Sequence, residues 1–197
     1  VIIASGCPST YDESEIGSFL QIRGYDVITF HYSATGRSGG DSFIPPHEDI
    51  EKVLIYVRNL YTKVTVLANS YGGYGALTIT KTYSHLYDSL ILVSAPVSLT
   101  QVKDLETLPD YLATSHIGWY RFDKEAFRTY IQTAQLGIVY KPERTTMIYA
   151  KHDTQVLAKD VESFCEVNSI AKIAVTNKHL SLNRLSKENI DVLHNLL

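Results

Sequence analysis

Ser70 stands in Ala68-Asn-Ser-Tyr-Gly-Gly73, directly after the apolar run Val64–Ala68 and before the helix-compatible stretch Tyr74–Tyr83. A strand, a sharp turn carrying one serine and then a helix is an arrangement that makes a nucleophile of a weak hydroxyl. The turn holds the serine at strained backbone angles, so its flanks must be small. Ala68, two before, and Gly72, two after, meet that demand. A helix starting beneath the oxygen offers free N–H groups and a dipole that favour negative charge there. Such a serine needs a base, and the base needs an orienting carboxylate. In an open α/β sheet reactive groups gather beyond the carboxyl ends of the strands, so acids and histidines just past strands are the candidates. Asp153 comes three residues after the run Thr145–Ala150, and His179 four residues after Ala171–Val175.

The other histidines are poorer bases by position. His31 lies within a strand-like run, His47 and His85 near helix ends, His116 in an irregular stretch and His194 on the last helix. His152 adjoins Asp153, but neighbouring side chains point apart and cannot pair as acid and base. Each member of the set also has a plainer reading: Ser70 as a turn residue, Asp153 as a loop acid or helix cap, His179 as a surface residue. Their placement after successive strands favours chemistry. There is no His-x-x-x-His and no Cys/His cluster with ligand spacing, so no metal is expected.

The elements that must position these residues are legible as alternating apolar runs and amphipathic stretches. Strands are expected at Val1–Ala4, Asp26–Tyr32, Val64–Ala68, Ser89–Ser94, Thr145–Ala150 and Ala171–Val175. Helices are expected at Glu13–Ile22, from Pro45-Pro46 through Leu60, and at Gly73–Tyr83, Ala158–Val167 and Ser186–Leu197. Shorter helices are expected at Gln101–Leu112 and Lys124–Leu136 in a less regular region, 95–144. Strands apolar throughout indicate a parallel sheet covered on both faces, hence a three-layer α/β domain.

A chain of 197 residues with 45% hydrophobic content is expected to form one domain with a sizeable core. A formal net charge of −3 argues against general nucleic-acid or membrane-surface binding, and no apolar stretch is long enough to span a bilayer. Cys7 and Cys165 lie far apart, and a reduced, cytoplasmic protein is favoured over a single disulfide. Residue 1 is valine, so further sequence is expected upstream and a signal peptide is left open.

Four motifs, in order, make the chain resemble an α/β-hydrolase from Val1 to Leu197. Ser5-Gly6-Cys7-Pro8 resembles the His-Gly-x-Pro loop that supplies one oxyanion-hole amide, with Ser5 in place of the histidine. Gly36-Arg-Ser-Gly-Gly40 resembles a Gly-x-Ser-x-Gly-Gly loop of many members. Ala68-Asn-Ser-Tyr-Gly-Gly-Tyr74 matches the nucleophile elbow, with Ala68 for the first glycine, and its Ser-Tyr-Gly-Gly-Tyr core is similar to prolyl oligopeptidase relatives. Asp153 with Val156 matches the acid loop, and His179 ends the set. The two antiparallel strands that commonly precede the parallel sheet are absent.

The resemblance implies a serine hydrolase with Ser70 as nucleophile, His179 as base and then acid, and Asp153 fixing the imidazole. It implies that the backbone N–H groups of Tyr71 and Cys7 hold the oxyanion, and that no cofactor is needed. Losing one such donor typically costs about 3–4 kcal/mol of transition-state stabilisation. A carboxylesterase acting on a small acyl substrate is expected; a thioesterase, a small peptidase and a non-catalytic ligand-binding module are the alternatives. The resemblance makes 95–144 a small cap over the site. Its rings, including Tyr111, Trp119, Tyr120 and Phe122 together with Phe127 and Tyr130, either line an acyl pocket or pack the cap's own core. Acyl specificity and oligomeric state are not fixed by the sequence.

Overall fold

A computed structural model of the chain describes residues 1–8, 14–176, 178–182 and 185–197. Six strands form one sheet: β1 (Ile2–Ala4), β2 (Ile28–Thr29), β3 (Thr65–Asn69), β4 (Ser89–Val93), β5 (Thr145–Ala150) and β6 (Ala171–Val175). Their spatial order is β2-β1-β3-β4-β5-β6, and every neighbouring pair is parallel. The central strands are the uninterrupted apolar runs of the sequence, because a strand covered on both faces has no solvated side to mark with polar residues.

Alternation along each strand divides the core in two. Ile2, Val66, Ala68, Leu90, Leu92 and Met147 face α2 (Pro46–Arg58), α3 (Ser70–Thr78) and α7 (Ala158–Asn168), meeting Ile50, Leu54, Ala76, Leu77 and Val161. Ile3, Leu67, Ile91, Val93 and Ile148 face the opposite way, against Ile16 and Leu20 of α1 (Ser14–Ile22) and Leu193 of α8 (Lys187–His194). Each large aliphatic side chain so buried contributes about 1.5–3 kcal/mol relative to exposure. The arrangement is the three-layer α/β sandwich expected from the sequence.

Several elements differ from their sequence reading. Only Ile28 and Thr29 of the expected strand Asp26–Tyr32 pair, because β1 is three residues long and offers Ile2 and Ile3 as partners. The third helix starts three residues early, at Ser70, and α4 (Thr80–Tyr83) follows it, with the Thr80 hydroxyl bonding the Leu77 carbonyl at the join. The expected helix Gln101–Leu112 is two 3₁₀ turns, Leu99–Gln101 and Leu105–Thr107, followed by α5 (Leu108–Ser115). Pro109 explains the break: lacking an N–H, it suits a first turn and cannot stand inside a helix begun at Gln101. α6 (Lys124–Thr133) is capped by the Asp123 carboxylate, which accepts the Glu125 N–H at 2.8 Å. Glu13, the expected start of the first helix, lies outside the described residues. Both cysteines are free thiols. Among the described residues no helix is long and apolar enough to cross a membrane, and no group of three His, Cys, Asp or Glu could hold a metal ion.

α3 lies unusually close to the sheet. A Cβ on Gly72 would overlap the carbonyl oxygens of Ala4 and Ser5, and one on Gly73 would overlap the Cβ of Ala95. In α1, by contrast, a Cβ on Gly17 meets only Val27, at 3.8 Å. Gly72→Ala is therefore expected to destabilise the fold by about 3 kcal/mol through overpacking. Gly17→Ala is expected to stabilise it by about 0.5–1 kcal/mol, since alanine loses less backbone freedom in a helix. Urea unfolding midpoints of the two variants check both signs.

Candidate active site

The chain passes from strand to helix in a single residue. Asn69 ends β3 in extended geometry (φ −115, ψ 137), and Ser70 opens α3 at φ 49, in the left-handed region that non-glycine residues avoid. That reversal lifts Ser70 to the carboxyl edge of the sheet, with the first turn of α3 behind it. Tyr71 lies in that first turn, where an N–H has no intrahelical acceptor.

The loop after β1 closes over the serine. A Cβ on Gly6 would stand 3.1 Å from the Ser70 Cβ, which puts the Gly6-Cys7 backbone in contact with the elbow. The Cys7 N–H donates to no backbone carbonyl of a described residue. Tyr32, just beyond β2, donates its hydroxyl to the Ser5 carbonyl at 2.9 Å and so holds this loop from behind. Burial pushes the Cys7 thiol up to about 12, against a smaller opposing pull from the Tyr120 hydroxyl, so the thiol stays protonated.

Asp153 lies in the loop after β5, its side chain 1% exposed. Its Oδ1 accepts the N–H groups of Gln155 (2.8 Å) and Val156 (3.0 Å), and its Oδ2 lies 2.7 Å from His179 Nδ1. Burial works to raise the carboxyl pKa. The His179 bond and the two backbone donors outweigh it and hold the group below its ordinary value. With Asp153 ionised, Nδ1 carries the proton and the Nε2 lone pair is left for another donor. His152, next in the chain, is exposed and takes no part in this pair.

His179 follows β6, and the residue after it ties this loop to the elbow. The Leu180 carbonyl accepts Asn69 Nδ2 at 3.0 Å, and the Leu180 N–H donates to Ser94 Oγ at 3.1 Å. Asn69 adjoins Ser70 and Leu180 adjoins His179, so one hydrogen bond joins the immediate chain neighbours of the two residues. Among the described residues no hydrogen bond runs from Ser70 Oγ to His179.

Ser70, Cys7 and Tyr71 open onto a cavity of about 370 Å³. Its far wall comes from the 95–144 segment: Leu99, Leu105, Leu108 and Tyr111, with Lys103 and Gln155 also lining it. Of the four rings expected to touch substrate, only Tyr111 lines this cavity. Trp119, Tyr120 and Phe122 line a second, smaller space of about 40 Å³ on the other side of Cys7 and Tyr71. They pack there: Phe122 meets Phe43 and Phe127 edge-on at 5.5 and 5.2 Å, and Trp119 leans on His31 at 5.4 Å. The rings of 95–144 pack in a cluster shared with Phe43, Tyr71 and Tyr74, in which Phe127 is 1% exposed. The leucines that line the larger cavity carried no periodic signal, because they are divided among two 3₁₀ turns (Leu99, Leu105) and the start of α5 (Leu108).

The Gly36–Gly40 loop has a structural role. The Gly36 N–H donates to the Trp119 carbonyl (2.9 Å), and Arg121 donates to the carbonyls of Gly36 (2.8 Å) and Ser38. Arg37 is exposed.

No protein-family model matches the sequence, and no curated protein matches it. Solved structures do. The chain is similar to an esterase from Pyrococcus furiosus, with 17% identity and a TM-score of 0.73 over 100% of this chain and 81% of that one. It is also similar to a structure reported among carboxylesterases of the ammonia-oxidizing thaumarchaeon Nitrososphaera gargenis (11% identity, TM-score 0.74, 98% and 88% covered). A monoacylglycerol lipase from Paleococcus ferrophilus is a third (13% identity, TM-score 0.67, 99% and 92% covered). At such identities it is the architecture that is shared, and with its six-strand parallel sheet between two helix layers the chain has the α/β-hydrolase fold.

Proposed function

We propose that the chain is a serine hydrolase that cleaves carboxylic esters through Ser70, His179 and Asp153. The observation that carries this reading is the buried Asp153 carboxylate on His179 Nδ1, in a loop tied by Leu180 to the residue preceding Ser70. The esterases and the lipase of the same fold support it.

In this mechanism His179 Nε2 takes the hydroxyl proton as Ser70 Oγ bonds to the acyl carbon. The carbonyl oxygen becomes an oxyanion and receives the N–H groups of Tyr71 and Cys7, and the dipole of α3 adds to their effect. The C–O bond to the leaving alcohol then breaks, and His179 returns its proton to that oxygen. Water repeats the sequence on the acyl-Ser70 ester and releases the acid. Asp153 stays ionised throughout, holding the tautomer and stabilising the imidazolium. The cavity of about 370 Å³, mostly aliphatic on the 95–144 side, suits an apolar acyl or alkyl group.

Covalent labelling by a fluorophosphonate tests the reading. Wild type is expected to label, Ser70→Ala to lose the label, and Ser70→Ala and His179→Ala to lower kcat by about 10⁴- to 10⁶-fold. A panel of esters, thioesters and aminoacyl amides is expected to give the highest kcat/KM on esters. Folded wild type that neither labels nor turns over any of them would make the chain a binding module instead.

The charge of Asp153 gives a second prediction. Its folded pKa lies below the unfolded reference of 3.8, so its contribution to stability is complete above that reference. That contribution is lost as pH falls through the folded value. The stability gap between wild type and Asp153→Asn is measured by urea unfolding. It should narrow below 3.8.

A further inference from the structure

We propose that Asn69 and Ser94 are positioning residues: through the backbone of Leu180 they set where His179 stands relative to Ser70. The inference rests on the serine-hydrolase reading above.

Between β6 and α8 the described residues form no strand or α-helix, so no ladder of backbone bonds fixes the loop that carries His179. Two side chains do that work. Ser94 Oγ takes the Leu180 N–H and Asn69 Nδ2 supplies the Leu180 carbonyl, so both polar groups of one residue are satisfied from the ends of neighbouring strands. The second amide hydrogen of Asn69 goes to the Val93 carbonyl at 2.8 Å. Both partners of Nδ2 are carbonyl oxygens, so the amide has one workable orientation and both of its hydrogens are used. The clamp is dry. Asn69 is 3% exposed, Ser94 0% and Leu180 3%. Buried bonds of this kind do not exchange with water, which makes them stiff.

The imidazole is thereby held from two sides. Asp153 fixes Nδ1, and Leu180 fixes the backbone one residue along, about 3.8 Å between Cα atoms. Asn69 also touches the third part of the site: a Cβ on Gly6 would come within 3.3 Å of Asn69 Oδ1, so the same carboxamide borders the loop carrying the Cys7 N–H. Neither Asn69 nor Ser94 lines the cavity that holds Ser70, and each acts on the reaction only through what it positions.

Asn69→Asp keeps the shape and removes both donors; Ser94→Ala removes the acceptor and adds nothing. With folding checked by melting temperature, each is expected to lower kcat on a p-nitrophenyl ester about 10- to 100-fold, the scale of an ångström of misplacement. KM should stay within about twofold of wild type, since the ground-state pocket is untouched. Because both act through Leu180, the double variant should lose less than the product of the two single losses. Fluorophosphonate labelling of Ser70 should slow in step, and the downfield proton resonance of His179 Nδ1 should move or broaden. Folded variants with a lower melting temperature but wild-type kcat and labelling rate would overturn the proposal and leave the two residues merely structural. If Asn69→Asp does not fold, Ser94→Ala decides alone. If wild type itself neither labels nor turns over, the hydrolase reading fails. The His179 resonance then decides the clamp, which an unchanged signal in folded Ser94→Ala overturns.

Discussion

The close approach of α3 to the end of β1 is the constraint on which the site depends. A helix can enter the sheet edge this tightly only where Gly72 leaves room for the Ala4 and Ser5 carbonyls, and only after a backbone reversal at Ser70. β1 and β3 pair in register from Ile2 with Val66 to Ala4 with Ala68, so their ends emerge side by side. The Ser5-Gly6-Cys7 loop therefore has to leave across the serine. Ser70 and the Cys7 and Tyr71 amides proposed to hold an oxyanion are brought together by one packing contact, and the Tyr32 hydroxyl bonds the Ser5 carbonyl of the same loop.

The rest of the rim is polar and buried, and its cost is met locally. A carboxylate as enclosed as Asp153 would protonate if left alone. Two backbone N–H groups and an imidazole keep it charged, and the backbone donors come from the same loop, two and three residues on. Ser94, also at a positive φ (44), closes β4 and donates its own N–H to the Ile148 carbonyl. Strain at Ser70 and Ser94 is thus confined to the carboxyl ends of adjacent strands, where the surrounding ladder over-determines the backbone.

Legibility in the sequence followed local chemistry. Strands β3 to β6 were readable because burial on both faces leaves unbroken apolar runs such as Leu90–Val93. The Asp153–His179 pair lies where the convergence of strand ends in such a sheet put it. β2 was overestimated: Phe30 and Tyr32 look like strand residues, but pairing needs a partner, and β1 is short. The aromatic residues of 95–144 stayed open between pocket lining and packing for a related reason. A ring's role depends on what meets it from elsewhere, and Phe43, far away in sequence, claims Phe122 and Phe127 for packing. The leucines facing Ser70 are split between two 3₁₀ turns and the start of α5, a break that only Pro109 hinted at.

The glycine-rich loop at 36–40 shows how a motif can matter without touching the chemistry. Gly36 has φ 51, and a Cβ there would strike the His31 ring. That ring is fixed in turn, since His31 Nδ1 accepts the Arg37 N–H at 2.8 Å. The compact turn so formed is what the 95–144 segment binds: Trp119 accepts from Gly36, the Arg121 N–H donates to Ala34, and Thr35 bridges Tyr120. Tyr120 then faces the Cys7 thiol, beside the proposed oxyanion loop. Exposed ion pairs within the segment, such as Asp110 with Lys124 and Arg128, contribute little by comparison. The segment over Ser70 is therefore seated by backbone bonds to a rigid glycine turn.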